Sequence, residues 1–275
     1  MNTIESNGAR IPALGFGTYR MTAAEVAQTL PAALQLGFRH VDAAQIYGNE
    51  DAVGDALRSS GVARDDIFLT TKVWVTNFAP DRFEVSVIDS LRQLGTDHVD
   101  LLLLHWPQSS DVPRATQLEL LNAMKEKGLT RHIGVSNYNT ALMREATELS
   151  DAPLVNNQVE YHPWLDQSAV IAQAKPLGMS VTGYFAMANG RTPTDPLLQD
   201  IGAKYGRSAA QVVLRWMTQQ DGVAALSKTA RPERLKENFD IFDFSLADED
   251  MAAIGAMAAP DGRIVLEPEL APAWD

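Results

Sequence analysis

Asp42, Tyr47, Lys72 and His105 are the side chains whose types and spacing could do chemistry in this chain. Asp42, Lys72 and His105 stand at or near the ends of three successive apolar runs, at 39–43, 67–73 and 99–106, and Tyr47 lies in the loop after Asp42. Each alone has an ordinary structural reading: Asp42 as a helix cap, Lys72 as a stem reaching for solvent, His105 as a hydrogen-bonded core residue. Together they suggest a proton donor. An interior Lys beside an interior Asp is a buried pair, costly unless it has a task, and an ammonium close to a phenol favours the phenolate and lowers its pKa. A Tyr of ordinary pKa, about 10, is a reluctant donor. Lys72 and Asp42 are therefore expected to tune Tyr47 towards neutral pH for general-acid catalysis, with His105 holding a carbonyl oxygen in line.

These residues need a frame that brings strand ends together. Short apolar runs recur at 14–17, 39–43, 67–73, 99–106, 132–136, 157–161, 179–184 and 223–227, which makes eight strand candidates. Between them lie stretches with apolar residues three or four apart, at 23–36, 81–94, 117–127, 141–149 and 209–219, the helical period. The run Leu101-Leu102-Leu103-Leu104 is apolar without alternation, as a parallel strand covered on both faces would be. Strand–helix repeats of roughly 25–35 residues fit an α/β fold of the (β/α)8 TIM-barrel type better than an open doubly wound sheet. In such a barrel the chemistry sits at the carboxyl ends of the strands, where the four residues fall. Asn7-Gly8, flanked by Ile4 and Ile11, predicts a tight N-terminal β-hairpin. The proline-rich segment from Pro260 onwards predicts a C-terminal loop strap across the surface. With no Pro/Ser-rich linker, charge block or low-complexity segment, residues 1–275 read as one domain.

Composition narrows the function. Hydrophobic residues make up 45% and charged residues 21%, which suits a chain with a sizeable core. With no Cys there is no disulfide framework, thiolate metal site or Cys nucleophile, and no metal is expected. The absence of thiols is compatible with a reducing cytoplasm. Asp and Glu outnumber Lys and Arg by 35 to 23, a net charge of -12, so neither nucleic acid nor an anionic membrane is an expected partner. No basic-then-apolar leader opens the chain, and no stretch approaches the roughly 20 apolar residues of a membrane span.

The segment from Asp42 to Glu50, DAAQIYGNE, followed by Lys72-Val73-Trp74 and Leu104-His105-Trp106-Pro107, closely resembles the aldo-keto reductases. The likeness continues through Gly134-Val135-Ser136-Asn137-Tyr138, through Asn157-Gln158-Val159-Glu160, and into the stretch from Lys228 to Asn238. That resemblance implies that Asp42, Tyr47, Lys72 and His105 form a catalytic tetrad, and that a nicotinamide dinucleotide binds without a Rossmann domain. The sequence agrees: the segment from Gly15 through Gly17 and Thr18 to Arg20 lacks the third Gly of a dinucleotide fingerprint.

By the same resemblance, Ser136, Asn137 and Gln158 would hydrogen-bond the nicotinamide carboxamide and Tyr184 would stack on its ring. Gly17, Thr18, Phe185, Met187 and Asn189 would also face the cofactor. Lys228, Thr229 and Arg234 would hold the 2′-phosphate of NADPH, because a dianion rewards an ammonium and a guanidinium together, and Glu237 and Asn238 would face the adenine. Two departures stand out. Many members read Tyr-Ser-Pro-Leu where this chain has Tyr184-Phe185-Ala186-Met187, so a hydroxyl that contacts the pyrophosphate is lost and backbone amides must do more. Ser227 stands before Lys228 where Pro is common.

Tyr19, Trp74 and Trp106 are candidate substrate contacts, and the short loop at 108–114 should leave the pocket open to small polar substrates. The expected activity is NADPH-dependent reduction of small carbonyl compounds by a cytoplasmic monomer. The compact length and the ending LAPAWD resemble the branch acting on dicarbonyls such as methylglyoxal or 2,5-diketo-D-gluconate. The alternatives are a non-catalytic NADPH-binding barrel subunit, or a barrel hydrolase or lyase using Asp42 or Glu160.

Overall fold

The computed structural model describes residues 2–275. An antiparallel hairpin, β1 (Thr3–Ser6) and β2 (Ala9–Pro12), precedes eight parallel strands: β3 (Leu14–Gly17), β4 (His40–Asp42), β5 (Phe68–Val73), β6 (Val99–Leu104), β7 (Thr130–Ser136), β8 (Leu154–Glu160), β9 (Ser180–Tyr184) and β10 (Val223–Ser227). Each pairs with the next, and β10 pairs with β3 to close a barrel. The helices are α1 (Ala23–Leu36), α2 (Glu50–Ser59), α3 (Pro80–Leu94), α4 (Arg114–Glu126), α5 (Thr140–Leu149), α6 (Ser168–Ala174), α7 (Pro196–Tyr205), α8 (Ala209–Gln219), α9 (Leu235–Phe239) and α10 (Asp248–Gly255). The chain is thus a (β/α)8 barrel, as the alternating pattern predicts. No helix among the described residues is long and apolar enough to cross a membrane.

The Leu run shows why parallel strands lose their alternation. Leu102 and Leu104 of β6 pack into the large cluster shared with the helices, while Leu101 and Leu103 join Ala9, Ile11 and Val155 in a second cluster. Both faces are apolar because both are covered. The hairpin supplies part of the inner cluster. Asn7 (φ 43°) and Gly8 (φ 86°) take the left-handed conformations of a tight two-residue turn. Asn7 Nδ2 donates to Leu154 O at 2.7 Å and Leu177 O at 3.0 Å, seating the turn at the amino ends of the barrel strands.

Helix boundaries follow local chemistry. A capping box of Thr22 and Glu25 starts α1, Pro80 sits in the first turn of α3, and Ser208 with Gln211 starts α8. Pro31 lies inside α1, where it removes one backbone bond, and the buried face of Val26, Leu30, Ala33 and Leu34 carries the helix through. Strand β8 begins three residues before the predicted run. Asn156 is the reason: it is fully buried, donating to Ser180 Oγ at 2.8 Å and Thr182 Oγ1 at 2.9 Å, a polar interior layer that leaves no trace in apolar periodicity. Residues 260–275 carry no helix or strand and cross the surface as a strap. Its end is pinned where the Thr140 N–H and hydroxyl donate to Asp275 at 2.8 and 2.7 Å and Asn139 Nδ2 donates to Ala273 O at 2.7 Å.

Gly54 is where α2 meets α3. A Cβ there would lie 2.4 Å from the Gln93 carbonyl oxygen and 2.7 Å from the Leu94 carbonyl carbon, backbone atoms that cannot turn aside. Gly54→Ala should therefore destabilise the fold by about 1–3 kcal/mol. Gly255→Ala, with nothing within 4 Å, should not. Urea denaturation of both variants checks this, with a lower midpoint expected for the first alone.

Candidate active site

The barrel brings the four chemical residues to one end. Asp42 is the last residue of β4, Lys72 the penultimate residue of β5, and His105 follows directly on β6. Tyr47 sits in a short 3-10 turn, Gln45–Tyr47, closed by Gly48 in the left-handed conformation (φ 66°). Lys72 is wholly buried. Its ammonium donates to Asp42 Oδ1 at 2.6 Å, Ala43 O at 2.9 Å and the Tyr47 hydroxyl oxygen at 3.1 Å. The other Asp42 oxygen accepts from Gln158 Nε2 at 2.7 Å. A chain of polar groups, Gln158–Asp42–Lys72–Tyr47, thus crosses the top of the barrel.

An ammonium only donates, so the Tyr47 oxygen is its acceptor and the phenolic hydrogen must point elsewhere. The remaining direction is the cavity. The expectation that Lys72 brings the phenol down towards neutral pH needs correction. Burial first, then the Asp42 carboxylate, pushes Tyr47 well above its ordinary value, and burial lowers Lys72 against the opposing pull of Asp42. Asp42 neutralises at the phenol much of the field that Lys72 would exert. Tyr47 is therefore a fully loaded donor at neutral pH.

His105 is pushed well below its usual range, mainly by burial and then by Lys72, and is neutral at physiological pH. Its Nδ1 is buried with no partner, which favours the proton on Nε2, because an orphaned buried N–H is the rarer arrangement. The site has a neutral donor beside the phenol, with the Tyr47 and His105 rings edge-to-face at 5.9 Å.

Two side chains flanking Tyr47, unremarked in the sequence reading, set the pocket walls. Gln45 Oε1 accepts from the Trp74 backbone N–H at 2.8 Å and Asn77 Nδ2 at 2.9 Å, and its amide donates to Ser86 Oγ at 3.1 Å. Asn49 Nδ2 donates to Thr18 O and Met21 O, both at 3.0 Å. The Tyr47 loop is thereby tied to the loops carrying Trp74 and Tyr19. Their polar types inside a motif next to a Tyr were the available signal. Tyr19 packs on Tyr47 at 5.0 Å and Trp74 on His105 at 5.2 Å between ring centroids. Together with Trp106 they line a cavity of about 610 Å³. No residue of the loop at 108–114 lines it.

The cavity extends past Asn137, Gln158 and Tyr184 to Gly17, Phe185, Met187, Asn189 and Lys228. The Tyr184 hydroxyl donates to Asn137 Oδ1 at 2.7 Å, while Asn137 Nδ2 donates to His105 O at 3.0 Å. Gln158 Oε1 accepts no hydrogen bond among the described residues. Ser136 and Thr18 are placed differently: Ser136 Oγ donates to Gln158 O at 2.8 Å and Thr18 Oγ1 to Asp42 O at 2.9 Å, and neither lines the cavity. Both are buried braces for the strand ends. The loop after β9 is wound tightly, with Phe185, Ala188 and Asn189 all at positive φ.

Thr229, Arg234, Glu237 and Asn238 lie outside the cavity lining, the first two on the segment leading into α9 and the last two within it. Thr229 is buried and its hydroxyl accepts the Arg231 N–H at 3.0 Å, while Arg234 is exposed and forms no ion pair among the described residues. Arg20, absent from the sequence-based candidates, lines the cavity with its guanidinium 5.0 Å from the Tyr19 ring. It too has no carboxylate partner. In an acidic chain, unpaired cations at Arg20, Lys228 and Arg234 suit a polyanionic ligand.

Comparison with known proteins bears on these features. A family model described as the aldo/keto reductase family matches residues 13–259. The chain is 39% identical over 267 residues to methylglyoxal reductase DkgB of Salmonella typhimurium, spanning 96% of this chain and 99% of that protein. It is 36% identical to morphine 6-dehydrogenase of Pseudomonas putida, over 94% of each chain. A crystal structure provisionally assigned as a 2,5-diketo-D-gluconic acid reductase B superposes with a TM-score of 0.99 at 61% identity, covering 100% of this chain and 98% of that one. A Bombyx mori aldo-keto reductase in complex with NADP gives a TM-score of 0.90 at 30% identity, covering 97% and 95%.

The Asp42–Lys72 pair generates a stability prediction. Lys72→Met leaves a buried carboxylate without its cation and should cost about 3–5 kcal/mol. Asp42→Asn in the same chain removes the orphaned charge and should recover part of that loss. A double-mutant cycle by denaturant unfolding measures it, and additive losses would mean the two charges do not interact.

Proposed function

The chain belongs to the aldo/keto reductase family, and from that premise we propose that it reduces small aldehydes and ketones to alcohols with NADPH, with Tyr47 as proton donor and dicarbonyls such as methylglyoxal or 2,5-diketo-D-gluconate as substrates. The observation that carries this reading is the Lys72 contact to the Tyr47 oxygen, which leaves the phenolic proton facing the cavity. When bound, NADPH supplies a hydride for the carbonyl carbon.

The chain's own residues do the rest. His105 and Tyr47 orient the carbonyl oxygen by donating to it, which polarises the carbon. Tyr47 gives its proton to that oxygen as negative charge develops there. A phenol held above its ordinary value does not ionise beforehand, so the proton is delivered only when a strong base appears beside it. Lys72 stays within 3.1 Å to steady the phenolate, and Asp42 holds Lys72 in place at 2.6 Å. Tyr19, Trp74 and Trp106 exclude water around a small substrate.

On the cofactor side, Gln158 and Asn137 are the cavity residues suited to the nicotinamide carboxamide, braced by Ser136, and Tyr184 supplies a ring to stack on. Gly17, Met187 and Asn189 border the path along the diphosphate. Arg20 can take charge that Phe185, lacking a hydroxyl, cannot. Lys228, Thr229 and Arg234 serve the 2′-phosphate, with Glu237 and Asn238 towards the adenine and Thr18 holding the end of β4. The protein works as a monomer in the cytoplasm, a setting that a chain without thiols fits.

Tyr47→Phe should lower kcat for methylglyoxal by several orders of magnitude, with NADPH affinity within threefold of the parent. Steady-state NADPH oxidation and fluorescence titration measure the two. Retention of a tenth of the turnover would remove Tyr47 from the role.

A second outcome concerns cofactor choice. Each charge-assisted bond to the 2′-phosphate is worth about 1.5–3 kcal/mol, so kcat/KM should favour NADPH over NADH by at least about a hundredfold. Arg234→Ala should erase most of that preference by weakening NADPH alone. An equal loss with both cofactors would assign Arg234 elsewhere.

A further inference from the structure

Glu160 ends β8 with its side chain fully buried, yet it does not line the cavity. A buried carboxylate must regain by hydrogen bonding what it loses in hydration. Here the partners come largely from the C-terminal strap. One oxygen accepts the Ile264 backbone N–H at 2.6 Å and the other accepts the Val265 N–H at 3.0 Å. The Arg263 guanidinium lies 3.7 Å away and His162 Nε2 lies 2.9 Å from the first oxygen. Two successive amides on two different oxygens make a two-point clip. One bond would let the strap pivot, whereas two set its position and its direction together.

What the clip holds is part of the pocket. Val265, Glu267 and Leu270 line the same cavity as Tyr47 and His105, although the segment carrying them has no regular structure of its own. Beyond the clip, the strap's next hydrogen bonds to the barrel among the described residues are at Glu269, whose carbonyl accepts the Ser109 hydroxyl, and at its far end on Asn139 and Thr140, while Val265, Leu270, Ala271 and Trp274 pack against the core. The wall formed by Val265 and Glu267 therefore takes its backbone position from the Glu160 clip, with Val265 also packed on the core. Glu160 does not line the cavity, and each of its oxygens accepts a backbone N–H of the strap. A general acid or base role is inconsistent with that geometry.

We propose that Glu160 is a positioning residue that clips the C-terminal strap into place as a wall of the substrate pocket. This rests on reading the cavity as the carbonyl site, but the clip itself can be tested without turnover. Glu160→Gln keeps the size and turns an NH2 group towards one of the two amides. Glu160→Asp keeps the charge but is one methylene too short to reach both.

The experiment is hydrogen exchange of the strap in the whole protein without cofactor, read alongside steady-state kinetics with methylglyoxal. Both variants are expected to exchange the amides of Ile264 and Val265 at least tenfold faster, with β6 and β7 protected as in the parent. They should also raise KM about tenfold while kcat and NADPH affinity stay within threefold. Parental protection of the strap in both variants, or a fall in kcat at unchanged KM, would overturn the proposal. A parent protein that does not reduce methylglyoxal would count against the substrate reading alone, because the exchange arm still decides the clip. Should Glu160→Gln fail to fold, Glu160→Asp carries the same test, and parental exchange and KM in that variant would refute it.

Discussion

One ammonium organises the active end of this barrel. Lys72 is removed from water altogether, and a buried cation survives only where every proton finds an acceptor. Its three acceptors are Asp42, the Ala43 carbonyl and Tyr47, which come from the end of β4 and the turn after it. The need to satisfy Lys72 thus sets where Tyr47 lies, which way its hydrogen points, and why Asp42 stands beside it. Gln158 extends the same demand to β8, on the opposite side of the barrel, by donating to the second Asp42 oxygen. The position of the chemistry follows from the electrostatics of one buried charge.

That charge also explains an apparent conflict in the tuning. An isolated ammonium beside a phenol would make the phenol acidic, but the Asp42 carboxylate 2.6 Å from Lys72 cancels much of its field, and burial then dominates. The result is a donor that keeps its proton until a base is created beside it. Carbonyl reduction needs such a donor, because the basic oxygen exists only as the hydride arrives. His105, held neutral by the same burial and the same ammonium, can donate a hydrogen bond without contributing a charge.

The two ends of the barrel are finished by segments that are not part of the repeat. At the amino ends of the strands, the hairpin closes the interior with Ala9 and Ile11 against Leu101, Leu103 and Val155. At the carboxyl ends the strap crosses instead of plugging, so the cavity remains reachable beside Val265 and Leu270. The difference is chemical: the hairpin presents apolar side chains to an apolar interior, whereas the strap presents backbone N–H groups to the buried Glu160 carboxylate. Both closures combine packing with hydrogen bonds, since Asn7 also donates to Leu154 and Leu177 and Val265 and Leu270 also pack on the core, but only the strap is held by a buried carboxylate.

Much of this was legible in the sequence. The apolar runs, their lack of alternation and their spacing point to a parallel barrel, because covering a strand on both faces leaves its mark on composition, as along the Leu101–Leu104 run. The Asn7-Gly8 turn, the proline-rich strap and the strand-end placement of Asp42, Lys72 and His105 are local properties, and local chemistry is written residue by residue. Other features depend on groups far apart in the chain. The balance of Lys72, Asp42 and burial at Tyr47, the early start of β8 around Asn156, the use of Thr18 and Ser136 as braces, and the Glu160 clip all arise from such pairings. Glu160 and Ile264 are 104 residues apart, and nothing in either neighbourhood announces the other. Sequence pattern determined which elements form and which ends they present. Only the closed barrel decided which donors meet which acceptors, because hydrogen bonding and desolvation depend on distances that no local pattern encodes.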